Sequence, residues 1–553
     1  MKNRSVWLVF LFLAASTLFP LAAPAQHDHG AAAEEKPVVL FAGMGNLHHP
    51  IATSVPDAQR YFDQGLTLIY AFNHAEAARS FRRAAELDPK AAMPLWGVAL
   101  ALGPNYNDPS DPEREKMAYE AIQRAKPLAA PGPEIERGYV DALALRYSID
   151  PNADLKKLAR DYSNAMGELS KRYPDDLDAA TIYAESMMDL RPWALWNLDG
   201  TPAEGTNEII AVLGSVLARD PNHIGANHYY IHAVEASPHP EWGLASAERL
   251  AALVPAGGHI VHMPAHIYAR VGDYADAMKT NQAAAAADLN YIEATGVEGA
   301  YPAMYYSHNL HFLAYAAAEA GDFTAAEQAA SALGENIRRR GAGMPPQMTE
   351  AFTNFHTFVL LRFHKWDAIL LTPEPVNSTE IVRALWHFAR GSALAGLGKP
   401  AEAEKERVAF AAVAAKIPAE ERFGFNQSGE VLDIAKSLLD ARIAEANGDR
   451  KSAIQSLEKA VAVQDGLHYD EPPDWYYPVR ESLGGVLLRD GQAAEAEKVF
   501  RASLERNPRS GRSLFGLWQS LKAQNNSVEA DLVERQFKDA WKSADTELKV
   551  GEL

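Results

Sequence analysis

The 553-residue chain contains no cysteine. That absence excludes a disulfide framework, a thiolate metal site and an acceptor cysteine for a bacterial lipid anchor, so packing alone must hold the fold. A basic stripe is also missing. The formal net charge is -19, with 53 Lys+Arg against 72 Asp+Glu, and a chain that cannot neutralise phosphates has no nucleic-acid partner. Long apolar runs are absent after the first residues, which excludes a later transmembrane helix. The H-E-x-x-H pair of zinc proteases, the nucleophile elbow of serine hydrolases and the phosphate loop of nucleotide hydrolases are not found.

What is there begins with an export signal. Lys2 and Arg4 precede the apolar run Val6 to Leu13, and Ala23-Pro24-Ala25 supplies a small-residue cleavage site. Residues 1–25 are therefore expected to be a signal peptide. The mature chain then starts near Gln26 and resides in the periplasm or the exterior of a bacterium. Residues 26–57, which carry His27, His29, His48 and His49, read as an extended polar arm.

The remainder is Ala-rich and punctuated by Gly and Pro, which predicts helices joined by short turns. Gly65, Ala77, Phe81, Ala84 and Pro89 are spaced as a helix-turn-helix repeat of about 34 residues, and Gly484, Gly491, Ala496, Phe500 and Pro508 match it. Four further turns show a glycine followed five residues later by alanine: Gly272/Ala277, Gly321/Ala326, Gly398/Ala403 and Gly448/Ala453. Counting back from them gives repeat starts near Gly258, Ser307, Ala384 or Leu385, and Ile434. Proline is an independent ruler: Pro174, Pro221 and Pro255 predict starts at Leu177, Ile224 and Gly258. Both rulers agree on Gly258.

On these residues the chain resembles the tetratricopeptide repeat family over most of 58–540. Trp96-Gly97, Gly103-Pro104-Asn105 and the segment Asp470 to Trp475 are also similar to a group of exported bacterial repeat proteins of unsettled function. The resemblance implies an all-α, right-handed superhelical solenoid of nine to eleven repeats. It divides into N-terminal repeats over 58–220, a His-rich centre over 221–340 and C-terminal repeats over 341–553. Insertions are expected at 103–133, 190–206 and 288–306. Residues 470–475 read as a repeat-closing loop.

The register exposes a constellation. Counted from Ile224, Gly258 and Ser307, residues His228, His262 and His311 each lie four along; His232 and His266 lie eight along; His259 and His308 lie one along. Offsets of one, four and eight share one helix face. In the family resembled, that face lines a concave groove where ligands bind. Glu235 continues the stripe as a ligand or as a base acting on metal-bound water, and Glu185, His48 and His49 are further candidates. Imidazole pairs one helical turn apart chelate transition metals. An all-imidazole, cysteine-free set suits copper first, with zinc or iron as alternatives, and seven histidines exceed one tetrahedral shell. The reading is an exported metalloprotein, an oxidoreductase or hydrolase if it is an enzyme. Two rivals remain: a metal-free scaffold holding a protein, peptide or small molecule in the groove, and metal sequestration or delivery. Tyr229, Tyr230, Tyr305 and Tyr306 are read as packing residues, and Asn227 and Asn309 as helix-start or ligand-orienting residues. The isolated His74, His356, His364, His387 and His468 are read as structural.

Overall fold

A computed structural model describes residues 36–553 except 342, 343, 345, 377 and 419. The expected signal peptide, His27 and His29 lie outside the described residues. Residues Val38–Leu553 form one compact unit. It is an all-α helical repeat solenoid, and among the described residues the strands are limited to Arg422–Phe423 paired with Asn426–Gln427.

The repeat grammar has a direct packing cause. The Phe81 ring lies between Gly65 and Gly97, and the Phe500 ring between Gly484 and Gly516, so close that a Cβ on any of these glycines would collide with it. One aromatic thus locks three successive helices where only hydrogen leaves room. Helices begin at Leu177, Ile224 and Gly258, where the proline ruler sets them, and at Tyr306, one residue before the expected Ser307. Asp176 and His223 cap the first two by accepting the backbone N–H groups of Ala179 and Ala226. Two later helices start ahead of expectation, at Glu380 and Ser428. A turn glycine marks where a first helix ends, and these first helices are simply longer.

Twelve helix pairs follow one another among the described residues, rather than nine to eleven. Two causes account for the excess. The expected insertion at 103–133 contains Pro112–Ala129, a regular second helix, and the short pair Phe355–Arg362 and Trp366–Leu371 turns at His364 without the glycine that marks other repeats. Residues 288–306 likewise continue the helix Tyr274–Thr295 before a short connection.

The buried side chains form two cores, Ile51 to Ile267 and Ala265 to Leu553, which meet at the helix Pro264–Arg270. Each part folds back on itself. The first helix, Pro56–Tyr70, reaches the fifth pair, where Gly225 admits the Tyr70 ring. In the other part, Gly321 admits Trp541, and Asp545 accepts the N–H groups of Phe323 and Thr324 at 2.7 and 3.0 Å. Gly272 combines a turn φ of 78° with an approach to the Pro508 carbonyl that no side chain permits. Residues 38–52 of the arm bridge the first and fifth pairs. Phe41 N–H donates to Gln64, His49 N–H to Asp63, and Ala256 N–H to the Gly43 carbonyl.

Candidate metal centre

Closure turns the expected groove wall into interior. His228 and His262 have no exposed surface, His232 and His266 retain 1% and His259 3%. Three first-helix segments supply the imidazoles. Ile224–Glu235 presents His228 and His232 one turn apart; Gly258–His262, interrupted at Met263 by Pro264, continues as Pro264–Arg270 and presents His259, His262 and His266; Tyr306–Ala320 presents His308.

Six histidines sort into two sets of three. Donor nitrogens of His228, His232 and His259 lie within 4.8 Å of one another, as do those of His262, His266 and His308. In the first set the Nε2 atoms of His228 and His259 are 3.1 Å apart. In the second, His262 Nε2 is 2.7 Å from His266 Nε2 and 3.0 Å from His308 Nε2. Two nitrogens bound about 2.0–2.1 Å from one tetrahedral ion stand about 3.3 Å apart. The three separations of 3.1, 2.7 and 3.0 Å all fall short of that spacing, so an ion would push these rings apart.

Surrounding acceptors decide which ring nitrogen carries the proton. His228 Nδ1–H donates to the Tyr70 carbonyl at 2.6 Å and His232 Nδ1–H to Glu235 Oε1 at 2.8 Å. His266 Nδ1–H donates to Glu235 Oε2. His262 Nδ1–H donates to Asn281 Oδ1 at 2.7 Å, and the Asn281 amide is held in that orientation by its own donation to the Ala277 carbonyl. The neutral rings of His228, His232 and His262 therefore direct an Nε2 lone pair inward, and His266 Nε2–H donates to that of His262 at 2.7 Å. His232 Nε2 is buried without a partner. Aromatic rings close the sides: Phe72 stacks on His232 and His259, Phe312 on His266, and Tyr106 lies against His232.

Burial, reinforced by neighbouring imidazoles, holds His228, His259, His262 and His308 well below the usual imidazole range; burial also lowers His232 against the pull of Glu235. His266 goes the other way. Burial opposes its charge, but the Glu471 and Glu235 carboxylates outweigh it and raise its proton affinity, and Glu235 is correspondingly lowered. The lowered five stay neutral when folded but take up protons below about pH 6.5 once unfolded. Their contribution is complete above that pH and is lost as pH falls. His266 contributes in the opposite sense, below about pH 6.5 and declining as pH rises through its elevated value. Five against one makes the metal-free centre acid-labile, whereas Asp288, Glu319, Glu350 and Glu471, raised by burial to about 7, act in the opposite sense. Between pH 7 and 5 the urea midpoint of the metal-free native chain is therefore expected to fall relative to that of the chain carrying His228→Ala and His259→Ala, and an equal change in both would contradict these protonation states.

The remaining sequence candidates are placed as follows. His311 does not join either set. His308 and Phe312 define the face of their helix turned to the centre, and His311, about 60° around the axis, lies against Phe352 and Phe355 of the next pair. Glu235 is at the centre, but both its oxygens already accept imidazole protons, so it orients ligands and has no oxygen free to act as a base. Glu185 is buried elsewhere, beside Asp189 and Arg146. His48 and His49 bond Asp63 and Asp178, where they fasten the arm. Asn227 bonds the Pro221 and His223 carbonyls at its helix start, and Asn309 bonds Asp288. Tyr229 packs on Tyr70 and Phe72.

Spacing could not identify Tyr70, Phe72, Asn281 or Glu471. The first two arrive because the first repeat closes onto the fifth. Glu471 is carried in by the loop after the tenth pair, and its Oε2 lies 2.8 Å from His266 Nδ1. Only the unusual acidic and proline-rich segment around it marked the loop.

No protein-family model and no curated protein matches this chain. Solved structures do share its helical course. The human IFIT1 dimer with m7Gppp-AAAA is 13% identical, covering 89% of this chain and 91% of that one, with a TM-score of 0.31. Yeast Tom70 is 13% identical, covering 87% and 90%, with a TM-score of 0.28. The TPR domain of P58(IPK) is 10% identical, covering 85% and 99%, with a TM-score of 0.22. At these scores the likenesses carry no argument about what this chain binds. Among the described residues no helix is long and apolar enough to cross a membrane.

Proposed function

We propose that this protein is a transition-metal protein whose two three-histidine sets each hold one ion. The observation that carries the reading is the fixed tautomer of three buried neutral rings: His228, His232 and His262 all commit Nδ1–H to an oxygen and aim Nε2 at their set, where His266 Nε2 faces His262 Nε2 at 2.7 Å. Buried lone pairs facing one another are unfavourable unless a proton or a metal ion lies between them. Copper is the first choice because all six donors are imidazoles, with zinc and iron next. Three protein ligands leave a coordination position open on each ion. The sets adjoin, with ring centroids of His232 and His266, and of His259 and His262, both 5.9 Å apart. Such a pair suits an oxidoreductase or a hydrolase, with Glu235 holding one ligand of each set in place.

Burial of five of the six imidazoles favours a second use, sequestration or delivery of the ions without chemistry. A cleft of about 820 Å³ beneath the arm, lined by Tyr139, Asp176, Asp178 and His223, favours a third, in which a protein, peptide or small molecule binds the scaffold. The export signal read from residues 1–25 makes the periplasm or cell exterior the proposed site of action.

The test is elemental analysis of untagged protein isolated from metal-replete cells, with X-ray absorption at the metal edge. About two transition-metal ions per chain with a nitrogen-only protein shell are expected. Protein that is folded and metal-free under those conditions would sink the proposal.

A further inference from the structure

Five of the six imidazoles are buried and His308 is partly exposed, so ions destined for the inner donors must cross a layer of protein. Resting on the two-set reading, we propose that the loop from His468 to Asp474 is the port through which a transition-metal cation reaches the second set, with Glu471 the last carboxylate it meets.

Four observations converge on this loop. A cavity of about 160 Å³ is lined by Arg270, Phe312, His468, Asp470, Glu471 and Asp474. That is room for about five waters, enough for a cation that has kept part of its hydration shell. His468 is exposed at its outer end and Glu471, with a 5% exposed side chain, is at its inner end. Glu471 also lacks a hydrogen-bond partner on either oxygen. Its Oε2 is 2.8 Å from His266 Nδ1, but the single proton of that nitrogen is aimed at Glu235. The His266 imidazolium beside it supplies its counter-charge in the metal-free protein, and an arriving cation would take over that role. Finally, of the two arginines that line the cavity, Arg270 is held by the Glu235 and Ser237 carbonyls at 3.0 and 3.2 Å, and Arg506 pairs with Asp465.

The order of donors suits transit. An exposed imidazole and hard carboxylates can exchange water for a cation and release it, whereas the three imidazoles of the second set, once His266 gives up its proton, hold copper or zinc more strongly. Phe312 covers the set from another side, stacking on His266 and meeting His262 and His308 edge-on.

The experiment uses the full chain carrying His228→Ala and His259→Ala, so that only the second set can load, and follows uptake of Zn²⁺ by stopped flow. Glu471→Gln, nearly isosteric, is expected to slow uptake at least tenfold while the final one-ion stoichiometry and the affinity stay within about threefold. Asp470→Asn should slow it by a smaller factor. Circular dichroism checks that both variants are folded. An unchanged rate with normal uptake sinks the port alone. A rate that falls only in step with affinity also sinks it, since Glu471 would then be a positioning residue for His266. No uptake even by the unmutated chain would remove the two-set reading and the port together.

Discussion

Replacing His262 and His266 by alanine is expected to leave one bound ion where the native chain holds about two, and replacing His228 and His259 should leave the other. Two doubles are needed because the sets are chemically alike but structurally separable. The first draws on His228, His232 and His259, and the second on His262, His266 and His308. Neither double removes a ligand of the other set. Glu235→Gln should instead weaken both ions together, by about 10- to 100-fold, because one carboxylate orients His232 in one set and His266 in the other. Elemental analysis of the purified variants reads the stoichiometry, and competition with a chelator reads the affinity. If either double abolished all binding, a single shared site would replace two. If neither changed the stoichiometry, the histidines would be packing residues.

The second large effect is on stability. Arg362→Met is expected to cost about 3–5 kcal/mol, read as a fall in the urea midpoint. Arg362 is 3% exposed on its side chain and lies between two equally buried carboxylates, 2.7 Å from Glu319 Oε1 and 2.5 Å from Glu481 Oε2; Arg512 adds a contact to Glu481 at 3.1 Å. Glu319 ends the helix that carries His308, whereas Glu481 begins the eleventh pair. The guanidinium therefore joins parts of the array that are distant in sequence. Removing it strands Glu319 in the interior and leaves Glu481 to Arg512 alone, which is much worse than never having charges there. Arg362→Met combined with Glu319→Leu should accordingly recover part of the loss. A single-variant cost below about 1 kcal/mol would show that water reaches the network and screens it.

Repeat register was legible in the chain itself. Glycine at a left-handed turn, alanine where helices touch and proline after a second helix are local demands, met by residues within one or two repeats of each other. Hence Leu177, Ile224 and Gly258 could be placed to the residue, and with them the face shared by His228, His232, His259, His262 and His266. Helical periodicity also brought in His308 but overcounted with His311, because an offset of four points inward only if the whole helix keeps the rotation of its predecessors. The connection through Tyr301–Tyr305 turned that helix so that Phe312 shares the inner face with His308.

Closure was beyond any local rule. That the first repeat lies against the fifth, bringing the Tyr70 carbonyl to His228 and Phe72 to His232, depends on small rotations accumulated over three intervening pairs. The same accumulation brings Glu471 back to His266. Side-chain identities set which imidazoles share a face. The summed curvature of the array decided that this face is buried, that its tautomers are held by groups far away in the chain, and that it resolves into two sets of three.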